Sequence, residues 1–533
     1  MLKPLFYTRD FQLNHFQAPW LGVESARWSM VGGPEVARLS GVCGGREGRD
    51  KPYPYGGIFD VNRLDLAGAM TLLRCGVELV DESGQAAWWG YVSGVEYHKG
   101  SLGVVADLEK MNNRVKVSYT SLNINTPSGG GIVKYGTWGD ELTSQGIYGV
   151  KEKIINLLAV SDALATIKTN LEIAENGYPE AIPIFKTQVE THPEINIGAG
   201  NLASLPHPSK PDLFLTLRGW WNTAGWRYYS RADGLIQDVE ESAFQLVGAG
   251  AGSQTAYQSF TVPVSNWRVE CVWLKAATFG APGDNLGVDI CQDSGGTPGA
   301  SLVNVQIAGS TILHSYGWKC FVFSSPPTLA AGVYWIKVCR SGANDAANAY
   351  MVKVDENQSY TGGVMWVNGG LRSPAADMVF QVLGGTTTTE QIGAMAGAGA
   401  GGQFLNGVRV EITHDIYTNQ YRYGTRTALE EMNYLLAAGG LDGKRLLAEV
   451  TQDRYLRVYV QPVASDAELY VNGAGLLADR VGVLAPVWTP AAGRWAVVRE
   501  AWGEGGSQYQ QVKDRVLLGA VEYDPVSGGL RVG

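Results

Sequence analysis

A short phrase that occurs twice constrains this chain more than any other feature of its sequence. Residues 143–149 read TSQGIYG and residues 418–424 read TNQYRYG, and each copy runs into a stretch with helical spacing. A second echo joins the outer regions, where the Val-Glu-Tyr pattern of 94–104 returns in 520–532. The repeats bracket a central region, roughly 205–385. Duplication of this kind predicts a pseudo-symmetric scaffold with an inserted domain, and it favours an architectural role over catalysis.

The composition predicts a mainly β protein with a few helices. The 533 residues include 69 glycines and 16 tryptophans, and only 17% are charged. Glycine provides the positive φ angles of tight turns, and aromatic side chains pack well on pleated surfaces. A net charge of −9 without a Lys/Arg cluster argues against a protein that wraps nucleic acid. The length predicts three to four domains.

The sequence contains neither a recognisable targeting signal nor a metal-binding cysteine motif. The first ten residues lack the apolar run of a signal peptide, and no window of about 18 apolar residues predicts a membrane span. We expect the cysteines to be buried reduced thiols, with a disulfide in the central region as the alternative. They are Cys43, Cys75, Cys271, Cys291, Cys320 and Cys339.

Turn signals and hydrophobic spacing divide the chain into six predicted segments. Two barrel-like ends are expected to flank an α/β region, which is itself interrupted by a β-sandwich of eight or so short strands. Helices are predicted over 154–171 and 426–438. The segments are a first barrel (1–125), the first half of the α/β region (126–204), the inserted sandwich (205–385), a Gly/Thr-rich linker (386–402), the second half of the α/β region (403–449) and a second barrel (450–533). The GxGxxG match at 397–402 follows no strand, so it is interpreted as linker.

Aromatic residues near turns of the insertion are the main candidate binding residues, because aromatic faces stack on sugar rings. The candidates are Trp221, Tyr228, Tyr229 and Trp366, and the alternative is that they fill the core and the sandwich is a spacer. Trp335 lies within a strand and is expected to be buried.

Two acidic groups are candidates for other chemistry. Asp284, Asp289 and Asp293 lie in oxygen-rich loops that suit a structural calcium ion, and no other cofactor is expected. Asp233, Asp238, Glu240 and Glu241 offer paired catalytic carboxylates, but a solvated loop is the favoured interpretation. The sequence contains no P-loop, HExxH, GxSxG or EF-hand motif, so the chain is predicted not to be an enzyme.

The order of several motifs at both ends resembles phage tail-tip (baseplate) hub proteins. These motifs are WSMVGGPEVA (28–37), LRC (73–75), WGYV (89–92), MNNRVKVSY (111–119) and the segment 446–459, and the resemblance covers roughly 1–190 and 403–533. It implies two related barrels per subunit and a homotrimer that continues a sixfold tail tube at the virion tail tip. Its implied partners are the distal tail protein, tail tube, tape measure and tip or fibre proteins, with DNA only passing through the lumen.

The insertion separately resembles the carbohydrate-binding-like sandwiches of surface and virion proteins. The matching segments are 288–293, 297–302, 329–336 and 377–380. This resemblance implies attachment to a host cell-surface glycan. Two alternatives stay open: a distal tail protein, which forms a hexameric ring, and a secreted glycan-active enzyme with an accessory binding module.

Overall fold

A computed structural model defines the architecture of the protein over most of the chain. It describes residues 3–13, 21–30, 33–43, 66–80, 84, 86–99, 102–121, 132–185, 213–230, 236–237, 241–250, 255–358, 360–397, 401–412, 415–417, 423–460, 465–472, 477–478, 495–502, 509–517, 521–524 and 529–532. Strands dominate and helices are few, so the predicted fold class, mainly β with a few helices, is confirmed. Among the described residues, no helix combines the length and the apolar character needed to cross a membrane.

The elements are numbered along the chain. Up to residue 226 they are β1 (Lys3–Tyr7), β2 (Leu21–Met30), β3 (Pro34–Cys43), α1 (Leu66–Thr71), β4 (Gly76–Val80), β5 (Ala86–Lys99), β6 (Leu102–Asp107), β7 (Arg114–Ser121), β8 (Ile132–Tyr135), β9 (Gly139–Asp140), α2 (Leu142–Tyr148), β10 (Glu152–Ala159), α3 (Asp162–Asn176), β11 (Ala181–Phe185), β12 (Leu213–Arg218) and a 3₁₀ helix (Trp220–Trp226).

The central elements are mainly strands. They are β13 (Tyr228–Ser230), β14 (Ile236–Gln237), β15 (Ala243–Val247), β16 (Ala256–Val262), β17 (Trp267–Phe279), β18 (Asn285–Asp293), β19 (Pro298–Ala308), a 3₁₀ turn (Gly309–Thr311), β20 (Gly317–Val322), β21 (Thr328–Leu329), β22 (Gly332–Arg340), β23 (Ala349–Asp355), β24 (Met365–Val367), β25 (Gly370–Leu371), β26 (Asp377–Met378), β27 (Phe380–Gly385) and α4 (Thr388–Met395).

The remaining elements follow the central strands in chain order. They are β28 (Gly407–Glu411), β29 (Tyr423–Thr427), α5 (Ala428–Ala438), β30 (Leu446–Val450), β31 (Tyr455–Val460), β32 (Ser465–Asn472), β33 (Leu477–Ala478), β34 (Trp495–Trp502), β35 (Tyr509–Leu517), β36 (Val521–Asp524) and β37 (Gly529–Val532), and the last two pair as a hairpin.

The chain divides into two compact units. The scaffold unit comprises Met1–Tyr228, Met395–Thr413 and Thr427–Gly533, and the sandwich unit comprises Tyr229–Ala394 and His414–Arg426. The insertion therefore begins later than the predicted residue 205. Strand β12, which the sequence placed in the insertion, instead pairs with β3 and β5 of the scaffold.

A ten-stranded sheet forms the largest element of the scaffold unit. Its main path runs β1-β4-β5-β12-β3-β2-β36-β37, with β6 on β5 and β11 on β6. Within the described residues no pairing joins β1 to β37, so these pairings do not close the sheet into a barrel. The hairpins that carry the Val-Glu-Tyr echo, β5–β6 and β36–β37, both belong to this one sheet. The sequence placed the final hairpin in a separate second barrel, and this prediction is wrong, because the hairpin extends the sheet formed by the first strands of the chain.

Two smaller mixed sheets of the scaffold unit share one arrangement. In the first sheet, β7 pairs with β10 in parallel and with β8 and the short β9 in antiparallel fashion. In the second, β31 pairs with β28 in parallel and with β30 in antiparallel fashion. A helix packs on each sheet, α3 on β7 and α5 on β30. In the first sheet the parallel strand β10 comes after the middle strand β7 in the chain, whereas in the second sheet the parallel strand β28 comes before the middle strand β31. The two sheets therefore share an arrangement of strands but not the order of those strands along the chain.

Two predicted elements differ from the structure. The spacing of 154–171 predicts one helix, but the segment forms the end of β10 and the start of α3, which Ser161 caps by accepting a hydrogen bond from the Leu164 amide. Ile155 and Leu157, two residues apart as in a strand, pack on the cluster around Val117. The apolar residues of this segment fit both this two-residue period and the 3.6-residue period of a helix, so the sequence pattern did not separate the two. The predicted linker 386–402 contains the helix α4.

The sandwich unit contains two antiparallel sheets that share a core. One sheet has eight strands with the main path β14-β27-β17-β23-β15, and the other has the order β19-β18-β22-β16-β24-β25. Val272 of the first sheet and Val288 of the second belong to the same fully buried cluster. Alternate residues of each strand enter this core, because successive side chains of a strand point to opposite faces.

A buried carboxylate lies next to this apolar core. Asp377 is 2% exposed and accepts a hydrogen bond from Gln258 Nε2 at 3.3 Å, while its Oδ2 atom has no hydrogen-bond partner among the described residues. Its register partner across the strands is a second buried acid, Asp355. Burial, together with the charge of Asp355, raises the pKa of Asp377 to about 6. The folded sandwich therefore holds a proton on Asp377 more tightly than the unfolded chain does.

Because Asp377 binds its proton more tightly in the folded than in the unfolded state, we expect the sandwich unit to lose stability as the pH rises. The pKa of Asp377 is about 4 in the unfolded chain and about 6 in the folded protein, so the stabilising proton is fully retained below pH 4 and lost through pH 6. We expect Asp377→Asn to raise the free energy of unfolding at pH 7.5 by roughly 1–2 kcal/mol and to reduce its change between pH 5 and 7.5.

The measurement is urea unfolding of the full chain, followed by hydrogen exchange in peptides from β17 and β22. The control is Glu241→Gln, which changes an exposed carboxylate of the same unit and should leave the pH dependence as in the wild type. An Asp377→Asn variant that keeps the wild-type pH dependence would contradict the prediction.

Candidate functional site

One row of side chains crosses the outer face of the six-stranded sheet in the sandwich unit. In the strand register, Trp366 of β24 faces Tyr257 of β16, and Tyr257 faces Lys337 of β22. Lys337 in turn faces Asp289 of β18, which faces Asn304 of β19. These five residues, called the cross-strand row below, place two aromatic rings beside a group of hydrogen-bonding side chains.

The alternation of each strand puts this row on the face away from the core. In β16, Ala256 and Phe260 belong to the buried cluster, and Tyr257 occupies the opposite face. In β22, Ile336 and Val338 are buried in the core on either side of Lys337. A residue between two core positions of a strand must point outward, so the apolar pattern of the core determines the position of the row.

The polar end of the row is held together by Asp289. This carboxylate is 4% exposed, receives a hydrogen bond from Asn304 Nδ2, and lies 3.1 Å from Lys337 Nζ. Burial is the largest single influence and lowers the pKa of Lys337, but the hydrogen bond to Asp289 and the nearby titratable groups, Asp289 among them, together outweigh it, and the net shift is upward. Lys337 therefore stays a fixed cation beside the ring of Tyr257.

The aromatic end of the row rests on a buried tryptophan. The ring centroids of Trp366 and Trp335 lie 5.9 Å apart at 77°, an edge-to-face contact. Trp335 is 1% exposed and donates a hydrogen bond from Nε1 to Asp293 Oδ1 at 2.8 Å. The half-buried Trp366 has an Nε1 atom without a hydrogen-bond partner among the described residues. This N–H donor is buried as well as unpaired.

The structure separates the four aromatic residues that the sequence singled out. Trp221 lies in the 3₁₀ helix of the scaffold unit, and Tyr228 is the residue at which that unit's first segment ends. Tyr229 begins the sandwich unit but is only 7% exposed. Of the four, Trp366 is the member of the cross-strand row. Trp220 and Trp226, which lie in the same 3₁₀ helix as Trp221, are buried in the scaffold unit.

The three aspartates predicted to bind calcium have separate partners. Asp284 forms a bidentate pair with Arg340, at 2.8 and 2.9 Å. Asp289 belongs to the cross-strand row. Asp293 accepts hydrogen bonds from Trp335 and from the Gly296 amide, and these bonds lower its pKa. Within the described ranges of the chain, no three His, Cys, Asp or Glu side chains are grouped to hold a metal ion.

The acidic segment considered for catalysis is only partly described. Glu241 forms a surface ion pair with Lys275 at 2.7 Å, as expected for a solvated loop. Asp233, Asp238 and Glu240 lie outside the described residues. The described cysteines, which are Cys75, Cys271, Cys291, Cys320 and Cys339, are free thiols, and the side chain of Cys43 lies outside the described residues.

Three members of the row, Tyr257, Lys337 and Asn304, are not among the residues predicted from the sequence. A usable signal was present, because Lys337 is the only charged residue of the otherwise apolar run 332–339, which lies within β22. A charged residue at the middle of such a strand marks its outward face. The register that aligns Lys337 with Tyr257 joins strands distant in sequence, so it was not readable from either strand alone.

Comparison with known proteins identifies no family. No protein-family model and no curated protein matches the chain. Among solved structures, the cysteine protease and lectin-like domains of Cwp84 from Clostridium difficile match at a TM-score of 0.18 and 13% identity, over 33% of this chain and 39% of that one. A form of the same protease after propeptide cleavage matches at a TM-score of 0.20 and 11% identity, and this chain covers only 43% of its length.

Two carbohydrate-related structures also show weak similarity. The carbohydrate-binding module CBM35 of Abf62 from Cellvibrio japonicus matches at a TM-score of 0.14 and 13% identity, over 29% of this chain and 92% of the module. A family 43 arabinoxylan arabinofuranohydrolase from Bacillus subtilis matches at 0.14 and 8% identity, over 63% and 65% of the two chains. TM-scores this low establish neither a shared activity nor a shared fold.

The polar end of the row predicts measurable coupling between Lys337 and Asp289. The Asp289 side chain is 6% exposed and that of Lys337 is 29% exposed, so removing either one leaves a poorly solvated charge. A double-mutant cycle with Lys337→Ala and Asp289→Ala should give a coupling energy of about 1–3 kcal/mol in urea unfolding.

The surface pair Lys275–Glu241 is the matched control, because its carboxylate is 38% exposed. We expect its coupling energy to be below about 1 kcal/mol. Additive effects of the Lys337 and Asp289 substitutions would show that the two side chains do not stabilise one another.

Proposed function

We propose that this protein is a structural component of a long-tailed phage virion, a homotrimeric hub ring at the tail tip. In this proposal the scaffold unit connects the sixfold tail tube to the threefold tip. The sandwich unit attaches the particle to a saccharide on the host surface. Neighbouring partners are other tail proteins, and no catalytic step is assigned to the chain.

The observation that carries the proposal is the repetition of architecture within the scaffold unit. Two mixed sheets place a parallel and an antiparallel neighbour around one middle strand, and a helix packs on each. A subunit with two similar halves, repeated three times around an axis, presents six nearly equivalent contacts. That geometry suits a junction between threefold and sixfold rings. It supports the hub proposal, because a ring subunit uses equivalent contacts from both repeats.

The cross-strand row supports an attachment role for the sandwich unit. Tyr257 and Trp366 supply rings for a sugar face, and Lys337, Asp289 and Asn304 supply donors and acceptors for its hydroxyl groups. One aromatic contact contributes about 1–2 kcal/mol, by analogy with aromatic contacts in general. Two such contacts together with hydrogen bonds to the polar end of the row give a monovalent dissociation constant on the order of millimolar. Three copies on one ring raise the effective affinity without any new contact.

The first test is the stoichiometry of the purified full-length chain. Native mass spectrometry should give a particle of three chains, with large and obligate interfaces of roughly several thousand Å². A hexamer would favour the distal tail protein instead. A stable monomer at micromolar concentration would contradict both ring proteins and leave the secreted glycan-active enzyme as the alternative.

The second test concerns the cross-strand row. On an array of bacterial surface glycans, the full chain should bind a subset, and Trp366→Ala or Tyr257→Ala should reduce the signal at least tenfold. The control is Phe244→Ala, because Phe244 is a 51% exposed aromatic residue on the other sheet of the same unit. If all variants bind like the wild type, or if nothing binds, the sandwich is a spacer and not an adhesin.

A further inference from the structure

Two copies of one turn occur in the scaffold unit. The segments Thr8–Gln12 (TRDFQ) and Thr451–Tyr455 (TQDRY) share the pattern T-x-D. In each turn the threonine amide donates to the carbonyl of the fifth residue, at 2.7 and 2.9 Å, and the fourth amide donates back to the threonine carbonyl, at 2.9 Å in both. The threonine hydroxyl donates to the aspartate in each turn. The flanking pairs, Tyr7 with Leu13 and Val450 with Leu456, have the same spacing.

The fourth position of each turn holds a residue in the left-handed backbone region. Phe11 has a φ of 66° and Arg454 a φ of 60°, where glycine or asparagine is normally found. A third residue of this kind, Arg74 with a φ of 66°, follows helix α1. The three meet around one ring, because the guanidinium carbons of Arg454 and Arg74 lie 3.3 and 5.5 Å from the ring centroid of Phe11. Strained backbone gathered at one place commonly marks a ligand site.

Arg74 and Arg454, the two arginines beside the Phe11 ring, form no ion pair with a carboxylate among the described residues. Arg74 is 7% exposed, and its Nε atom has no hydrogen-bond partner within the same ranges. Burial is the main cause that lowers the pKa of Arg74 to about 10, and the charges of Arg9 and Arg454 act in the same direction. Arg454 donates a hydrogen bond to the Phe404 carbonyl at 3.1 Å, which leaves its positive charge uncompensated.

The acidic side chains nearby are already engaged. Glu78 accepts a hydrogen bond from Gln452 at 3.0 Å. Asp453 forms an ion pair with Arg409 at 2.8 Å and also accepts from the hydroxyl of its own turn. Asp10, which also acts on Arg74, accepts from the Thr8 hydroxyl. Among the described residues around this place, the four arginines Arg9, Arg74, Arg409 and Arg454 outnumber the three carboxylates Asp10, Glu78 and Asp453, so the local field favours an incoming anion.

A cavity of about 220 Å³ opens beside these residues within the scaffold unit. Its lining includes the aromatic side chains of Tyr7, Phe11, Trp89 and Trp220, together with one cation, Arg454, and two carboxylates, Glu78 and Asp453. The indole N–H of Trp89 donates to the Val450 carbonyl at 2.8 Å, so its ring is held in place as a wall. The cavity thus combines aromatic walls with polar and charged side chains, of which Arg454 is the cation.

We propose that this cavity is a binding site for a carboxylate carried on an aromatic or apolar group. Arg454 holds the carboxylate, since a planar guanidinium matches its two oxygen atoms. The aromatic walls hold the rest of the ligand, and the buried charge of Arg74 adds to the attraction. Glu78 and Asp453 also line the cavity and disfavour a doubly charged phosphate. The site is independent of the proposed virion role and of the cross-strand row.

The carboxylate has two possible sources, a free aromatic acid or the C-terminal residue of a partner peptide. Calorimetric titration of the full chain with N-acetyl-phenylalanine should give saturable binding, and the corresponding amide should bind at least tenfold more weakly. An acetylated Gly-Gly-Phe peptide with a free carboxylate distinguishes the sources. Tighter binding of the peptide assigns the site to a partner's C-terminus, and equal or weaker binding assigns it to a free acid.

The decisive variant is Arg454→Gly. Glycine adopts a positive φ without strain, so the melting temperature should fall by no more than about 2 °C while binding weakens at least tenfold. Arg454→Asn, which also tolerates this backbone region, should behave in the same way. Arg38→Gln removes an exposed arginine of the same unit and should bind like the wild type.

Three results would overturn the proposal. They are the absence of N-acetyl-phenylalanine binding at tens of millimolar, equal binding of its amide or of inorganic phosphate, and wild-type binding by both Arg454→Gly and Arg454→Asn. If Arg454→Gly loses much more than the expected stability, Arg454→Asn decides the matter. Unchanged binding in a folded Arg454→Asn variant would assign the cluster a purely structural role.

Discussion

Strand β12 joins the two halves of the ten-stranded sheet on which the scaffold unit is built. It lies between β3 and β5, and Leu213, Leu215 and Leu217 point into the core with at most 2% exposure. Without it, β3 and β5 would each present a long unpaired edge. The segment that leads into the insertion is therefore a central strand of the scaffold. Any substitution that disturbs Leu213–Arg218 acts first on this sheet.

The position of β12 explains how a whole sandwich is accommodated in the middle of the chain. Strands β13 and β29, at the start and the end of the insertion, pair with each other in a two-stranded sheet. The chain thus leaves and returns at neighbouring points. The sandwich has its own core, from Val247 to Val382, and does not depend on scaffold residues for its apolar packing. Insertions with close ends and independent cores are well tolerated.

The repetition in the scaffold unit extends from architecture to single turns. The mixed sheets differ in chain order, so an alignment of their sequences does not reveal their similarity. The T-x-D turns are alike in hydrogen bonding, yet one places Phe11 and the other Arg454 at the strained position. The two turns thus share a common frame while their side chains differ. In the proposed anion site, one turn supplies the ring and the other supplies the cation.

In the sandwich unit, too, the strand framework determines the positions of the side chains that are proposed to bind a ligand. Its strands alternate strictly enough that core positions fix which residues point outward, and this places Trp366 beside Tyr257. Burial in this unit is not confined to apolar side chains, because Asp377 and Asp355 lie buried as register partners. A buried acid that keeps its proton near neutral pH ties the stability of this unit to solution conditions.

Local chemistry in the sequence determined the mainly β composition, the apolar alternation of the sandwich strands and the capping box that begins helix α5 at Thr427. It could not decide that Ile155 and Leu157 belong to a strand, because short apolar runs satisfy periods of both two and 3.6. Nor could it assign β12 to the scaffold, align Trp366 with Lys337, or bring Arg74 and Arg454 to the ring of Phe11. Those outcomes depend on pairing between strands far apart in the chain. Register between distant strands is set by the packing of the whole sheet, and no local window of sequence contains it.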